Sequence, residues 1–181
     1  MSGTLVDRLL QDSRDRLLLG QSEAYQDAAF DPESAREAAD VVRRLGDARA
    51  YHVLMALRSA APETYEALPA DLRAAVLVDA LRHAFQFNDW GYLEPGGGYD
   101  GPAAAALLET GESAAGALRS LLDDDEKAQM TGSEIAEFAR LYRYRRKDFA
   151  YRYLSLLLGR RPEFDADPEA RDRAIAELTA A

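Results

Sequence analysis

Residues 140–161 read RLYRYRRKDFAYRYLSLLLGRR. From Phe149 the apolar side chains fall at Phe149, Ala150, Tyr153, Leu154 and Leu157, the i, i+1, i+4, i+5, i+8 stripe of a 3.6-residue helix. Gly159 follows the last of them, where a left-handed cap is easiest for glycine, and Pro162 stands soon after. Leu156 and Leu158 lie off the stripe, so cover on more than one side is expected. Asp148 and Arg152 have the i, i+4 spacing of an intrahelical ion pair. A second helix is predicted just before, with Thr131 and Glu134 at capping-box spacing and Ile135, Phe138, Ala139 and Tyr142 as its stripe.

Charge sets the same stretch apart. It holds eight of the 22 lysines and arginines and one acid, Asp148, so its local charge is +7 in a chain of formal net charge −10. The remaining residues therefore carry −17. Such a body repels phosphate, which argues against nucleic-acid binding by the whole chain and leaves the segment around Arg145 as the exception. With 181 residues and 48 % apolar content, one domain spanning 1–181 with a sizeable core is expected. No cysteine is present, which excludes a disulfide framework, a thiolate nucleophile and a Cys-ligated zinc. The N-terminal apolar element is interrupted by Asp7, Arg8, Asp12, Arg14, Asp15 and Arg16, unlike a secretory signal, and no run approaches a membrane span. A cytoplasmic protein is the expectation. Heavy use of Ala, Arg, Asp and Leu, with only Lys127 and Lys147 as lysines, points to a GC-rich bacterial genome.

Outward from the decisive stretch, the helical pattern continues. Residues 4–19 read as a first helix, with Thr4 and Asp7 at capping spacing, Leu5, Leu9, Leu10 and Leu17 on its apolar side, and Gly20 as its stop. Residues 21–30 form a short helix or turn anchored by Tyr25, Ala29 and Phe30. Asp31-Pro32 starts a helix that should end at Gly46, and Asp47 opens the next, with Ala50, Tyr51, Leu54 and Leu57 facing inward. Residues 59–69 connect it to residues 71–87, whose Leu72, Ala75, Val76, Leu77, Val78, Leu81, Ala84 and Phe85 mark the expected central helix. The text NDWGYLEPGGGYDG over 88–101 breaks the pattern and reads as a loop. Two further helices follow over 102–110 and 113–122, and no strand is predicted anywhere.

Residues 107–159 resemble the HEAT-like class of helical repeats. The matching text is ALLETGESAAGALRSLLDDDE, a small helix, a glycine turn and a Leu-rich helix ending in acids, followed by RRKDFAYRYLSLLLG. Residues 162–178 are similar to the C-terminal cap of such arrays. The resemblance implies an all-α fold of about eight helices in antiparallel pairs, stacked as a short HEAT-like α-solenoid or gathered in an irregular helical bundle. The connection 122–149 is wider than a regular repeat uses.

Function is read from what remains. Arg143, Tyr144, Arg145, Arg146 and Arg152 combine bidentate cations with rigid aromatic area, the chemistry of an anion-facing docking surface. The same arginines could instead answer the chain's own Asp123, Asp124, Asp125 and Glu126. In 88–101, Trp90, Tyr92 and Tyr99 could stack on a ligand beside Asp89, Glu94 and Asp100, or Trp90 and Tyr92 could plug helix ends. Gly96 to Gly98 is no phosphate loop, lacking a preceding strand and a following Gly-Lys-Ser/Thr. The acidic run lacks the spacing of a calcium loop. His52 and His83 have no HExxH spacing, and no GxSxG elbow exists. The leading expectation is a non-enzymatic interaction module without cofactor, an adaptor or accessory subunit whose partner is another protein with an acidic patch. The rival is a small-molecule-binding protein or enzyme with a pocket lidded by 88–101.

Overall fold

The computed structural model describes residues 3–15, 18–83, 88–128, 130 and 132–180. Among them the chain forms eleven α-helices and one two-stranded antiparallel sheet. Contacts group it into two compact units, residues 1–83 and 84–181. The predominantly helical class agrees with the sequence pattern. The excess over eight helices comes from single-turn segments of four or five residues, too short for periodicity to count.

The first unit holds α1 (Leu5–Asp15), α2 (Glu23–Gln26), α3 (Pro32–Leu45), α4 (Tyr51–Ala60), α5 (Pro62–Glu66) and α6 (Ala70–His83). Its helix ends follow local chemistry. Thr4 and Asp7 exchange side-chain-to-backbone bonds at 3.0 and 3.1 Å, a reciprocal capping box. Asp31 accepts from the amides of Glu33 and Ser34 with Pro32 at the first helical position, and Gly46 closes α3 at φ 63°. The expected α1 stripe includes Leu17, which lies outside the described residues, as do Ala84 and Phe85 of the expected 71–87 helix.

The centre of this unit is α4, not α6 as the apolar run predicts. All seven residues from Tyr51 to Leu57 are buried, and α1, α3, α5 and α6 pack around them. The spacing marks only three of the seven, because His52, Val53, Met55 and Ala56 break the stripe. Burial of His52 is made tolerable by Ser13 of α1. Its hydroxyl lies 2.8 Å from His52 Nδ1 and accepts the His52 amide at 2.9 Å, so one side chain ties α1 to the first turn of α4. His83 is exposed at the end of α6, 3.4 Å from Asp79.

The second unit holds β1 (Gly91–Glu94), β2 (Gly97–Asp100), α7 (Pro102–Leu108), α8 (Ala115–Arg119), α9 (Ser133–Leu141), α10 (Arg146–Leu157) and α11 (Pro168–Ala180). Here α10 is central, touching α7, α8 and α11. Phe149, Ala150, Tyr153 and Leu154 are fully buried, as the stripe predicts. Gly159 at φ 70° ends it, with its amide on the Leu156 carbonyl and the Arg160 amide on the Ser155 carbonyl, a Schellman motif. Thr131 of the predicted α9 capping box lies outside the described residues.

Residues 88–101 correct the sequence reading. Where a loop is predicted, a 3-10 turn leads into a β-hairpin with Tyr92 opposite Tyr99 and Leu93 opposite Gly98. Pro95 and Gly96, the latter at φ 85°, supply the two turn positions. At Gly101 a Cβ would stand 2.4 Å from the Asp89 carbonyl oxygen, so only glycine lets the strand leave for α7. Glycines contribute no strand propensity, and the hairpin is therefore held by tertiary contacts. Tyr144 supplies the main one. Its hydroxyl donates to the Leu93 carbonyl and accepts the Leu93 amide at 3.1 Å, taking the outer edge of β1 where a third strand would pair. Burial pushes the Tyr144 phenol up to about 12, which keeps that donor in place.

Burial also pulls the His52 imidazole below its ordinary pKa. The unfolded chain, with histidine near 6.5, then binds the proton more readily than the folded one. The His52 contribution is complete above about pH 6.5 and is lost as pH falls below that value towards the folded pKa. Thermal unfolding followed by circular dichroism should show a falling midpoint between about pH 6.5 and 5, above the ordinary carboxylate range. In His52→Gln that segment of the profile should be flat. An unchanged slope in the variant would exclude His52 as its cause.

Candidate functional site

The basic stretch folds against the acidic run. The Ala128 amide donates to the Tyr144 carbonyl, the Arg146 amide to Glu126 and the Lys147 amide to Asp124, so residues 124–128 run antiparallel to 144–147. Side chains follow the backbone. Arg146 meets Glu126 at 2.8 Å and Asp124 at 3.5 Å, while Lys147 meets Asp125 at 2.7 Å and Asp172 at 3.0 Å. Arg145 reaches Asp148 and Asp172, each at 2.9 Å. Burial opposes charge on Arg145, but hydrogen bonds to Asp148 and Asp172 outweigh it and raise its pKa. Burial likewise opposes charge on Asp172, whose bonds from Arg145 and Lys147 hold it below its ordinary value.

At the centre lies Asp148, with no side-chain exposure. It accepts the Arg145 amide at 2.9 Å and faces Arg171 Nη1 of α11 at 3.5 Å. Arg171 is itself buried, donates to the Tyr142 carbonyl at 2.7 Å and lies 4.6 Å over the Phe164 ring. The i, i+4 pair predicted between Asp148 and Arg152 is not formed. Arg152 instead grips Asp100 of the hairpin bidentately, at 2.7 and 2.9 Å, and its hydrogen bonds to Asp100 raise its pKa. Of the cations read as a docking strip, Arg145, Arg146 and Arg152 thus meet the chain's own acids. Arg143 is exposed at φ 51° and enters no ion pair among the described residues.

The aromatic residues form a chain of ring contacts from core to surface. Trp90 is buried against Tyr153, whose hydroxyl donates to the Trp90 carbonyl at 2.6 Å. Tyr153 meets Phe149, Phe149 meets Tyr144, and Tyr144 stacks on Tyr142. The chain continues through Phe138 to Tyr92 and ends at Tyr99, with centroids 5.7 to 6.2 Å apart. Trp90 and Tyr144 therefore belong to the core and present no binding face. Tyr92 is half-buried, and Tyr99 is 56 % exposed.

Sequence reasoning missed the exposed apolar side chain of α9. Phe138 joins the tyrosines of the hairpin, and Leu141, 68 % exposed, is the most exposed large apolar side chain among the described residues. The available signal was that Leu141 falls off the Ile135, Phe138, Ala139, Tyr142 stripe. Arg140 and Arg143 flank it.

The space under the hairpin, lined by Leu93, Arg152 and Phe164, is about 10 Å³, room for one water at most. A larger open groove of about 430 Å³ is lined by Leu122, Lys147, Asp172, Ile175 and Ala176, and none of Trp90, Tyr92 or Tyr99 borders it. No group of three or more metal-ligating side chains occurs among the described residues, and no described helix is long and apolar enough to cross a membrane.

Removing one member of a buried charge cluster strands the others. Asp148→Ala should destabilise the chain by about 3–5 kcal/mol in guanidinium denaturation, because Arg145 and Arg171 lose a desolvated counter-charge. Arg145→Glu should also destabilise, by confronting Asp148, Asp125 and Asp172. A wild-type midpoint for both variants would show that the cluster contributes nothing.

Compared with protein families, curated proteins and solved structures, the chain matches none of them, so its geometry alone carries the functional reading.

Proposed function

We propose that this chain is a non-enzymatic protein-interaction module, an adaptor or accessory subunit of the cytoplasm. The observation that carries the reading is the row Tyr99, Tyr92, Phe138, with exposed Leu141 one turn further along α9. Aromatic and apolar side chains left in water on a rigid scaffold form a contact patch, and large exposed apolar patches mark interaction sites. Arg140 and Arg143 lie beside it, and neither forms an ion pair among the described residues. They favour a partner that brings carboxylates to the rim of the patch.

This replaces the strip read from the sequence with a face a short distance along the chain. Arg145, Arg146 and Arg152 support it from behind, by holding the hairpin and α10 in place. The HEAT-like stacking inferred for 107–178 belongs to the same proposal. Its support is the packing of α7, α8 and α11 on α10, which leaves the surface of α9 for contacts.

An affinity capture from host extract tests the reading, using wild type, Tyr99→Ser/Leu141→Ser and Arg140→Glu/Arg143→Glu. These positions are exposed, so thermal midpoints should stay near wild type while capture falls in both double variants. Equal capture by all three proteins would place the contact elsewhere.

A further inference from the structure

We infer that the partner at this face is a second copy of the chain, docked through antiparallel pairing of two α9 helices; this rests on the interaction reading and names its partner. The outer face of α9 exposes Glu134, Glu137, Arg140 and Leu141, and Arg143 follows just past its end. Acids occupy the first half and cations the second. Glu134, Glu137 and Arg143 enter no ion pair among the described residues, and Arg140 makes only a bond from Nε to the Ala136 carbonyl within its own helix.

The pattern is self-complementary about a single point. A two-fold axis between Phe138 and Ala139 sets Glu137 of one copy against Arg140 of the other, and the same axis brings the first turn of one α9, with Glu134, to the end of the other, where Arg143 follows. One register therefore satisfies both pairs, and symmetry doubles them, the property required of an isologous interface. A parallel arrangement would oppose Glu137 to Glu137 and Arg140 to Arg140, which excludes it on charge. Among the described residues, α9 is only partly covered: it packs on β1 through Phe138 against Tyr92. No α9 residue of described side chain reaches full burial, whereas α10 buries eight.

The net charge of −10 makes the local pattern decisive. Two such bodies repel at long range, and at physiological salt that repulsion is screened beyond about 8 Å while paired charges in contact are screened less. Association should therefore strengthen from very low to physiological salt, then weaken as the cross-pairs are screened.

Sedimentation velocity over a concentration series tests the proposal on the full chain. Wild type should dimerise, and Glu137→Arg or Arg140→Glu alone should raise the dimer dissociation constant about ten-fold or more. Mixing the two variants in equal amounts should restore a dimer, because one chain is then positive and the other negative at both positions. The mixture separates a charge register from simple damage to α9, since two damaged helices would not recover together. A monomeric wild type, a dimer indifferent to both reversals, or failure of the mixture to recombine would each overturn the pairing. Should wild type be monomeric while the Tyr99→Ser/Leu141→Ser variant loses a captured host protein, the second copy is excluded and the interaction reading stands. A monomeric wild type that captures nothing would remove both.

Discussion

A carboxylate with no side-chain exposure lies at the start of α10, and the second unit is arranged around it. Asp148 accepts the Arg145 amide, engages the Arg145 guanidinium and faces Arg171 from α11. Burying an ion costs several kcal/mol unless counter-charges and hydrogen bonds surround it. Meeting that requirement draws in further elements. Arg145 brings Asp172 and Asp125, Lys147 bridges the same two acids, and Arg171 fastens the Tyr142 carbonyl and covers Phe164. Three segments distant in sequence, 123–128, 144–148 and 171–172, thus meet through one cluster. A well-packed apolar replacement could match its stability, so the clearest consequence of the cluster is the choice of register between these segments.

The cluster also decides which cations and rings stay exposed. A stretch of +7 looks like an exposed anion-binding strip until its cations are assigned. Once Arg145, Arg146, Lys147 and Arg152 are taken by Asp148, Asp172, Asp124, Asp125, Glu126 and Asp100, the cations next to α9 gain importance. The aromatic residues divide in the same manner. Trp90, Tyr144, Phe149 and Tyr153 fill the interior, and the row emerges at Tyr92 and Tyr99 against Phe138. Structural and exposed rings belong to one continuous set of contacts, so the outer rings are held by the packing of the inner ones.

Legibility follows the range of the interaction involved. Helix boundaries at Asp31-Pro32, Gly46 and Gly159 were readable because a cap bonds to amides or carbonyls within a few residues. The buried stripe of α10 was readable because helical period alone aligns Phe149, Ala150, Tyr153 and Leu154. The primacy of α4 was hidden, since a helix covered on all sides shows no stripe and His52 looks polar until Ser13 is seen beside it. The hairpin was hidden as well. Glycine-rich β2 has no strand signal, and its stability comes from Tyr144 on Leu93 and Arg152 on Asp100, each about fifty residues away in sequence.

By itself, then, the amino-acid sequence determined a predominantly helical chain, where several helices start and stop, and a basic aromatic stretch within an acidic body. Only the tertiary structure decided which cations are satisfied, which rings reach water and that 88–101 forms strands. The physical reason is one of distance. Periodicity and capping act over one or two turns of backbone, whereas burial of a charge or a ring depends on residues that only folding brings within a few ångströms.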